Sequence, residues 1–242
     1  RISTRPDAVD GEICDILEKY HVTAVELGAQ STNDKVLAMN RRGHTREDIF
    51  RSARLLKERG FETGLQMMTG LYGSNDEDSI GTARDIISLS PDTARIYPTV
   101  VIENTELAEL YRNGEYRPQT PEEAAVLCAK ILPMFERAGI KVIRLGLHSG
   151  GDVEGSFVAG AYHPALREMC EGHIYFDIIN RALSGKEKGK YIIYVAPREV
   201  SKASGQRRCN IEKLRELGYE CRIKENAALS ARDITLEKVN LL

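Results

Sequence analysis

Val22–Thr45, with the sequence VTAVELGAQSTNDKVLAMNRRGHT, is the stretch that decides the fold. Its first part, Val22–Gly28, is a short apolar run of the kind found in strands that are buried on both faces. The run gives way to small and polar residues, and a segment with helical spacing follows. The stretch therefore predicts a strand, then a helix, and then a loop that contains Arg42.

A second stretch, Gly64–Gly73, repeats this plan with the sequence GLQMMTGLYG. The apolar run Phe61–Leu65 predicts a strand, Gln66 follows it, and a glycine turn begins at Gly70. In barrels of parallel strands, the residues that carry out chemistry lie at the carboxyl ends of the strands. Two successive strands with glutamine and glycine at these ends predict a site for a polar small molecule.

Five predicted strands alternate with helices over the first 147 residues. They are Arg1–Arg5, Val22–Gly28, Phe61–Met68, Thr93–Tyr97 and Lys141–Leu147. This alternation is typical of a parallel sheet with right-handed crossovers, either closed towards a barrel or open and doubly wound. The absence of a GxGxxG motif after the first strand favours the barrel. We therefore predict an α/β fold with an incomplete parallel (β/α) barrel.

Two helix starts carry clear capping signals. Thr45 precedes the residues RED and can act as an N-cap. Thr120-Pro121-Glu122-Glu123 combines a hydroxyl cap, a proline at the first helical position and a glutamate at the third. We expect helices to begin directly after both threonines.

The pattern changes after residue 150. Gly150–Gly160 is rich in glycine and predicts a loop, and GKEKGK at Gly185–Lys190 predicts a polar hinge. A strand, a helix and a strand follow, with the strands at Tyr191–Val195 and Tyr219–Ile223. We predict two domains, a partial barrel over residues 1–184 and a small carboxyl-terminal βαβ appendage over residues 185–242.

Composition narrows the class of protein. The chain has 242 residues, of which 42% are hydrophobic, and a net charge of −2, so no overall field draws it onto nucleic acid or membrane. No apolar run reaches the length of a membrane span and no signal peptide is visible, which favours a cytoplasmic protein without membrane contact. The five cysteines are scattered, and no two have the spacing of metal ligands, so we predict no metal site within this chain.

Polar residues at the predicted strand ends form the candidate site. Gln30 can donate and accept hydrogen bonds, and Gly28 lets a ligand approach the backbone closely. The planar guanidinium of Arg42 suits a carboxylate, and Gln66 adds a polar contact from the next strand. Taken singly, Gln30 is also explained as a helix cap and Arg42 as a surface charge. The combination favours a ligand that carries a carboxylate, an amine and hydroxyl groups.

Other residues allow two interpretations each. Glu26 in a buried strand needs a partner, for which Arg5 is the candidate, and structural pairing and a role in the site are equally open. Gly70–Gly73 resembles a phosphate-binding turn, but the acidic residues that follow favour a simple turn. Lone histidines such as His44 favour structural roles. Lys202, Arg207 and Arg208 form a basic loop that contacts either solvent or the phosphates of RNA.

Several motifs together resemble one known family. VELGAQS, NRRGHT, GLQMMTGLYG and ARIYPTVVIENTEL occur in this order and resemble the radical S-adenosylmethionine (SAM) superfamily. The similarity is strongest to the radical domain of the Elongator catalytic subunit and its bacterial relatives. It is more distant to oxygen-independent coproporphyrinogen oxidase. The resemblance covers about Ile2–Leu147.

The resemblance implies a cofactor and roles for particular residues. In that family a partial (β/α)6 barrel holds a [4Fe-4S] cluster on a CxxxCxxC motif, and SAM is cleaved to a 5′-deoxyadenosyl radical. By resemblance, Gln30 and Arg42 hold SAM, with Arg42 on its carboxylate. Gln66 stands where relatives have aspartate or histidine, and Tyr97 lines the same rim. The family also implies an electron donor protein and, by analogy, a tRNA base as substrate.

Two departures from the family qualify this prediction. CxxxCxxC is absent from the sequence, so we expect the cluster ligands and two further strands to precede Arg1 in a longer protein. After Lys190 there is too little chain for an Elongator-type acetyltransferase domain, so acetyl transfer is not carried over. Two alternatives stay open, namely a metal-independent barrel lyase or isomerase and a non-catalytic barrel that acts as a scaffold or binding module.

Overall fold

The computed structural model describes residues 1–147 and 155–239. By packing, the chain divides into two units, Arg1–Pro164 and Ala165–Leu242. The domain boundary predicted from the sequence lies later, between residues 184 and 185. The packing boundary is earlier because the helix Leu166–Leu183 contributes Tyr175, Ile179 and Leu183 to the core of the second unit.

A five-stranded parallel sheet forms the centre of the first unit. Its strands are β1 (Ile2–Thr4), β2 (Ala24–Gln30), β3 (Glu62–Thr69), β4 (Thr93–Pro98) and β6 (Lys141–Leu145). Their order in the sheet is β1-β2-β3-β4-β6, so the strands follow one another as they do in the chain. Because a doubly wound sheet reverses its strand order and this sheet does not, the arrangement confirms the predicted partial barrel.

The helices of the first unit connect successive strands. They are α1 (Gly11–Lys19), α2 (Asp34–Met39), α3 (Arg46–Glu58), α4 (Asp76–Ser88), α5 (Glu106–Arg112) and α6 (Pro121–Arg137). Thr45 and Thr120 both cap their helices as predicted, and each forms a capping box: the threonine accepts from the backbone N–H three residues later, and that residue's carboxylate accepts from the threonine N–H. One face of β2 packs Val25, Leu27 and Ala29 into the core without exposure.

A short antiparallel ribbon departs from the prediction. β5 (Val100–Ile102) pairs with β7 (Phe157–Gly160), where the sequence predicted a loop over Gly150–Gly160. The prediction is wrong for residues 157–160 because the ribbon pairs segments far apart in sequence. Residues 150–154 of that predicted loop lie outside the described residues.

The second unit is a small α/β layer. Its strands are β8 (Gly189–Val195), β9 (Tyr219–Glu225) and β10 (Ile234–Lys238), and its helices are α7 (Leu166–Leu183), α8 (Val200–Ser204) and α9 (Cys209–Glu216). β8 and β9 are parallel, as a βαβ unit requires, which confirms the predicted appendage. The sequence analysis missed β10, which pairs with β8 in antiparallel orientation.

The buried carboxylate of Glu26 ties four strands of the first unit together. It lies on the face of β2 opposite Leu27 and is 1% exposed. Its Oε1 accepts from Arg1 at 2.9 Å and from Arg95 of β4 at 2.8 Å. Its Oε2 accepts from the Gln66 amide of β3 at 2.8 Å. We call these four residues, Glu26, Arg1, Gln66 and Arg95, the Glu26 cluster.

Arg5, predicted as the partner of Glu26, instead pairs with Asp7 at 2.6 Å. The prediction is wrong because β1 ends at Thr4 and the 3-10 turn Pro6–Ala8 brings the Asp7 carboxylate beside Arg5. Arg1, at the other end of β1, supplies the partner of Glu26 from that side.

Burial by itself would raise the pKa of Glu26, but hydrogen bonds from Arg1, Arg95 and Gln66 hold this pKa below its ordinary value of 4.5. A depressed pKa in the folded state means that the ionised carboxylate stabilises the fold. This contribution is present above pH 4.5 and is lost as the pH falls through the lower, folded-state value.

We predict that Glu26→Gln lowers the free energy of unfolding at pH 7 by about 1–3 kcal/mol, because Arg1 and Arg95 lose their buried negative partner and one acceptor oxygen becomes a donor. The difference from wild type should shrink below pH 4.5, where the wild-type carboxylate also becomes neutral. Urea unfolding followed at pH 7 and at acid pH measures both. Glu62→Gln, which removes the exposed second acceptor of Arg1, is the matched control and should change stability little. A difference that stays constant with pH would contradict this role of Glu26.

A second prediction concerns Gly64, which faces Glu26 across the β2–β3 pair. A Cβ at this position would lie 2.8 Å from Cγ of Glu26 and 2.9 Å from Oγ1 of Thr93. Gly64→Ala should therefore lower stability by about 1–3 kcal/mol through overpacking. Gly81→Ala in α4, where a Cβ meets nothing within 4 Å, should be neutral or stabilising in the same urea assay. Equal effects of the two substitutions would exclude close packing at Gly64.

Candidate functional site

The carboxyl end of β2 is irregular in a way that redirects its side chains. β2 and β3 pair regularly up to Leu27 and Leu65, but the next pair is Gln30 with Met67, so β2 holds one extra residue. Gln30 has a φ of 65°, in the left-handed region that few non-glycine residues adopt. Bulges and strained residues of this kind are frequent beside functional sites, where they aim a side chain.

Gly28 leaves room in which two polar side chains meet. A Cβ at this position would lie 2.8 Å from Nε2 of Gln30 and 3.9 Å from Nη2 of Arg42. A Cβ at this position would therefore displace the Gln30 amide, whereas the Arg42 guanidinium lies at ordinary contact distance. We call Gly28, Gln30 and Arg42 the β2-end cradle.

The turn after α2 brings Arg42 back over the strand end, as the sequence predicted. The Arg42 N–H donates to the Leu37 carbonyl at 3.0 Å, and Gly43 continues the turn with a φ of 73°. Arg42 is half-buried, and within the described residues its Nε is buried without a hydrogen-bond partner. Burial, and after it the positive charge of Arg5, lowers the pKa of Arg42, whereas Asp7 opposes this change. A bound anion would stabilise the charged form of the Arg42 guanidinium, which burial destabilises.

His44 supports the cradle from below, a role that the sequence analysis did not identify. Its ring is 4% exposed, and Nε2 lies 3.1 Å from the Ala29 carbonyl inside the bulge. A carbonyl only accepts, so Nε2 carries the proton and donates. The sequence signal for this contact was the position of His44, two residues after Arg42, from which its ring can reach the same end of β2.

Of the remaining predicted site residues, Glu26 and Gln66 belong to the Glu26 cluster and Tyr97 adjoins it through Arg95. Gln66 donates to Glu26, and Tyr97 accepts from Nη1 of Arg95 at 3.1 Å through its hydroxyl. Glu26 and Gly28 are two residues apart on β2, so the Glu26 cluster and the β2-end cradle share one face of the sheet. The six predicted residues thus form two neighbouring groups. Glu26, Gln66 and Tyr97 belong to one hydrogen-bonded network, whereas the β2-end cradle contains Arg42, whose Nε has no partner among the described residues.

This face suits a ligand with a negative group. Besides Arg42 it carries Arg95 and, at the paired position of β6, Arg144. The ionised Glu26 is already held by two guanidinium groups. The described residues therefore fit the carboxylate of a zwitterionic ligand such as SAM at Arg42.

No metal-ligand set occurs within the described residues: no three His, Cys, Asp or Glu side chains converge. Cys14, Cys128, Cys170 and Cys221 are buried, and Cys209 is exposed. Burial raises the pKa of Cys128 to about 12 and that of Cys221 to about 11, which keeps both as thiols. These residues do not fit an iron–sulfur cluster.

A cleft of about 630 Å³ lies at the turn after β3, apart from the cradle residues. Gly70–Asp76 and Glu115–Arg117 are among the segments that line it, and carboxylates outnumber its one arginine. This lining favours the interpretation of Gly70–Gly73 as a turn rather than a phosphate site. Across residues 1–147 and 155–239, no helix has the length and apolarity that a membrane span requires.

Two family models match this chain. The model of the Radical SAM superfamily matches residues 1–86, and that of the Radical_SAM C-terminal domain matches residues 91–175. Together they include the cradle and all strands of the central sheet.

Relatives of known name agree with these matches. A tRNA uridine(34) acetyltransferase of Methanocaldococcus jannaschii is 36% identical over 142 residues, which is 56% of this chain and 26% of the relative. Elongator complex protein 3 of Homo sapiens is 34% identical over 143 residues, or 55% of this chain and 25% of that protein. The chain thus spans about a quarter of the length of these relatives.

A solved structure extends the similarity to the fold. The archaeal Methanocaldococcus infernus Elp3 with an N-terminal deletion superposes with a TM-score of 0.60 and 27% identity, over 72% of this chain and 45% of that chain. Sequence motifs, strand order and both family models agree. The chain therefore belongs to the radical SAM superfamily, in its Elongator-like branch.

Proposed function

We propose that the β2-end cradle binds SAM and that the protein to which this chain belongs is a radical SAM enzyme. The observation that carries the proposal is the guanidinium of Arg42, half-buried with an unpartnered Nε beside the open backbone of Gly28. Membership of the superfamily supports the choice of ligand. When bound, this cofactor supplies a carbon-centred radical that abstracts hydrogen from a substrate.

Each cradle residue has a distinct task in this proposal. Arg42 holds the carboxylate through two parallel N–H donors, the geometry for which its planar group is suited. Gln30 offers a donor and an acceptor to the polar groups of the same ligand, and Gly28 allows the ligand to lie against the strand. Exclusion of water by these groups strengthens the charge contact at Arg42.

Glu26, Gln66 and Tyr97 support the ligand from the adjoining cluster. Both oxygens of Glu26 already accept hydrogen bonds, so this carboxylate orients Gln66 and Arg95 rather than holding the ligand amine itself. Direct contact of Gln66 and Tyr97 with the cofactor stays a prediction. The [4Fe-4S] cluster belongs to the family, but the described residues offer it no ligands, and electron delivery to it falls to a donor protein.

The proposed substrate class is tRNA. Its support is the names of the relatives, which are tRNA uridine(34) acetyltransferases and Elongator complex protein 3. The alternative of a metal-independent lyase or isomerase predicts a lysine or paired carboxylates at the strand ends, and Lys141 counts against it because this lysine begins β6. A non-catalytic scaffold that binds no ligand would leave the buried Nε of the half-buried Arg42 without a partner among the described residues.

We predict that Arg42→Ala weakens SAM binding by about 2–3 kcal/mol, or roughly 30- to 150-fold, because the ligand carboxylate loses a charged donor. Equilibrium dialysis of labelled SAM against the full-length protein that contains this chain measures the affinity. Arg42→Lys, which keeps the charge but not the fork, should fall between wild type and Arg42→Ala.

Arg41→Ala is the matched control, since the Arg41 side chain is 77% exposed and pairs with Glu106 on the surface. It should bind SAM as the wild type does, and thermal melting should show that all variants fold. Equal losses for Arg41→Ala and Arg42→Ala, or no loss for either, would remove Arg42 from the site. Failure of the wild type to bind SAM would contradict the proposed function as a whole.

A further inference from the structure

A basic groove of about 540 Å³ opens in the second unit. Its walls come from β8 and β9 and from α9 with the turn before it. Four basic residues line it against one acid, Glu220, and they are Lys190, Arg208, Arg215 and Arg222. The groove lies largely beyond residue 175, where the family matches end.

Three of the four cations have no partner. Lys190 pairs with Glu220 at 3.6 Å. Within the described ranges, no carboxylate or other group pairs with the side chains of Arg208, Arg215 and Arg222, all of which are exposed. The positive charges that line this groove repel one another, so without a bound anion they do not stabilise the second unit.

The start of α9 is also unfavourable for α9 alone. Arg207 and Arg208 have φ values of 51° and 65°, and Arg208 occupies the N-cap without any side-chain cap. The positive end of a helix dipole favours an acidic or hydroxyl residue at this place, and here it meets arginine. An external anion in the groove would offset both the dipole and the guanidinium charges.

Positive charge is concentrated in this part of the chain. Residues 165–242 hold 15 Lys and Arg against 11 Asp and Glu, whereas the whole chain has a net charge of −2. A polyanion approaching the protein is therefore attracted to the second unit specifically.

We infer that this groove binds the phosphate backbone of RNA through Arg208, Arg215 and Arg222. Three guanidinium groups that line one groove suit a polyanion with several phosphates better than a single small anion. The aromatic ring of the groove, Tyr191, is 4% exposed and its hydroxyl donates to the Glu187 carbonyl, so no ring is free for base stacking. Binding is therefore independent of base sequence. The choice of RNA, and not another polyanion, rests on the proposed function.

The test measures binding of a fluorescein-labelled tRNA transcript by anisotropy as a function of salt concentration. The triple variant Arg208→Gln, Arg215→Gln, Arg222→Gln should bind about tenfold or more weakly near 0.1 M salt. The slope of log affinity against log salt should decrease in magnitude by about two to three, one phosphate contact per arginine.

A second triple variant, Arg181→Gln, Lys186→Gln, Arg198→Gln, removes the same charge from exposed positions of the second unit that do not line the groove. It should keep both affinity and slope close to wild type. Equal losses in the two triple variants, or a wild-type slope in the groove variant, would overturn the inference. The inference would also be overturned if the groove variant lost binding to phosphatidylserine vesicles while its RNA binding was unchanged, because the groove would then be a membrane-binding site. SAM takes no part in this assay, so its outcome is separate from that of the cofactor titration.

Discussion

The inner face of the sheet depends on one buried carboxylate. Glu26 lies in a strand that is covered on both sides, and an ion in that position is tolerated only when charged and polar donors satisfy its oxygens. Arg1, Gln66 and Arg95 reach it from three other strands, so one carboxylate fixes how β1, β3 and β4 stand around β2. Parallel strands far apart in sequence have no hairpin turn to set their register, and this ion cluster supplies such a constraint.

Along β2 the residues on this face change from a structural role at Glu26 to a proposed ligand-binding role at Gly28 and Gln30. Both oxygens of Glu26 are bonded to protein donors, and after the bulge the Gln30 amide lies beside Gly28. The Glu26 oxygens accept these hydrogen bonds four residues before the strained residue Gln30. The left-handed conformation of Gln30 costs on the order of 1–3 kcal/mol, and it persists because the interactions of the surrounding strand hold the backbone in place. Under the proposed function, this arrangement would hold Gln30 in place before a ligand binds.

Much of the fold could be predicted because its signals are local. Thr45 and Thr120 satisfy helix N-termini within three residues, and the apolar run before Gly28 determines a buried strand from its own composition. The return of Arg42 over the strand end also followed from a short segment. What failed depended on distant pairing: Arg1 in place of Arg5 beside Glu26, the β5–β7 ribbon and the strand β10. The bulge at Gln30 was not predictable either, since it results from register with β3 rather than from any glycine at that position.

The close approach of Gly64 to Glu26 has a consequence for how this interior can vary. The two positions share one volume, so neither is free to change alone. A methyl group at residue 64 requires a shorter side chain at residue 26. A shorter side chain at residue 26 would leave Arg1 and Arg95 without their ion-pair partner. Sequence drift across this face must pass through paired or multiple replacements. Close packing therefore limits the substitutions that this part of the barrel interior tolerates, independently of the reaction that the residues at the strand ends support.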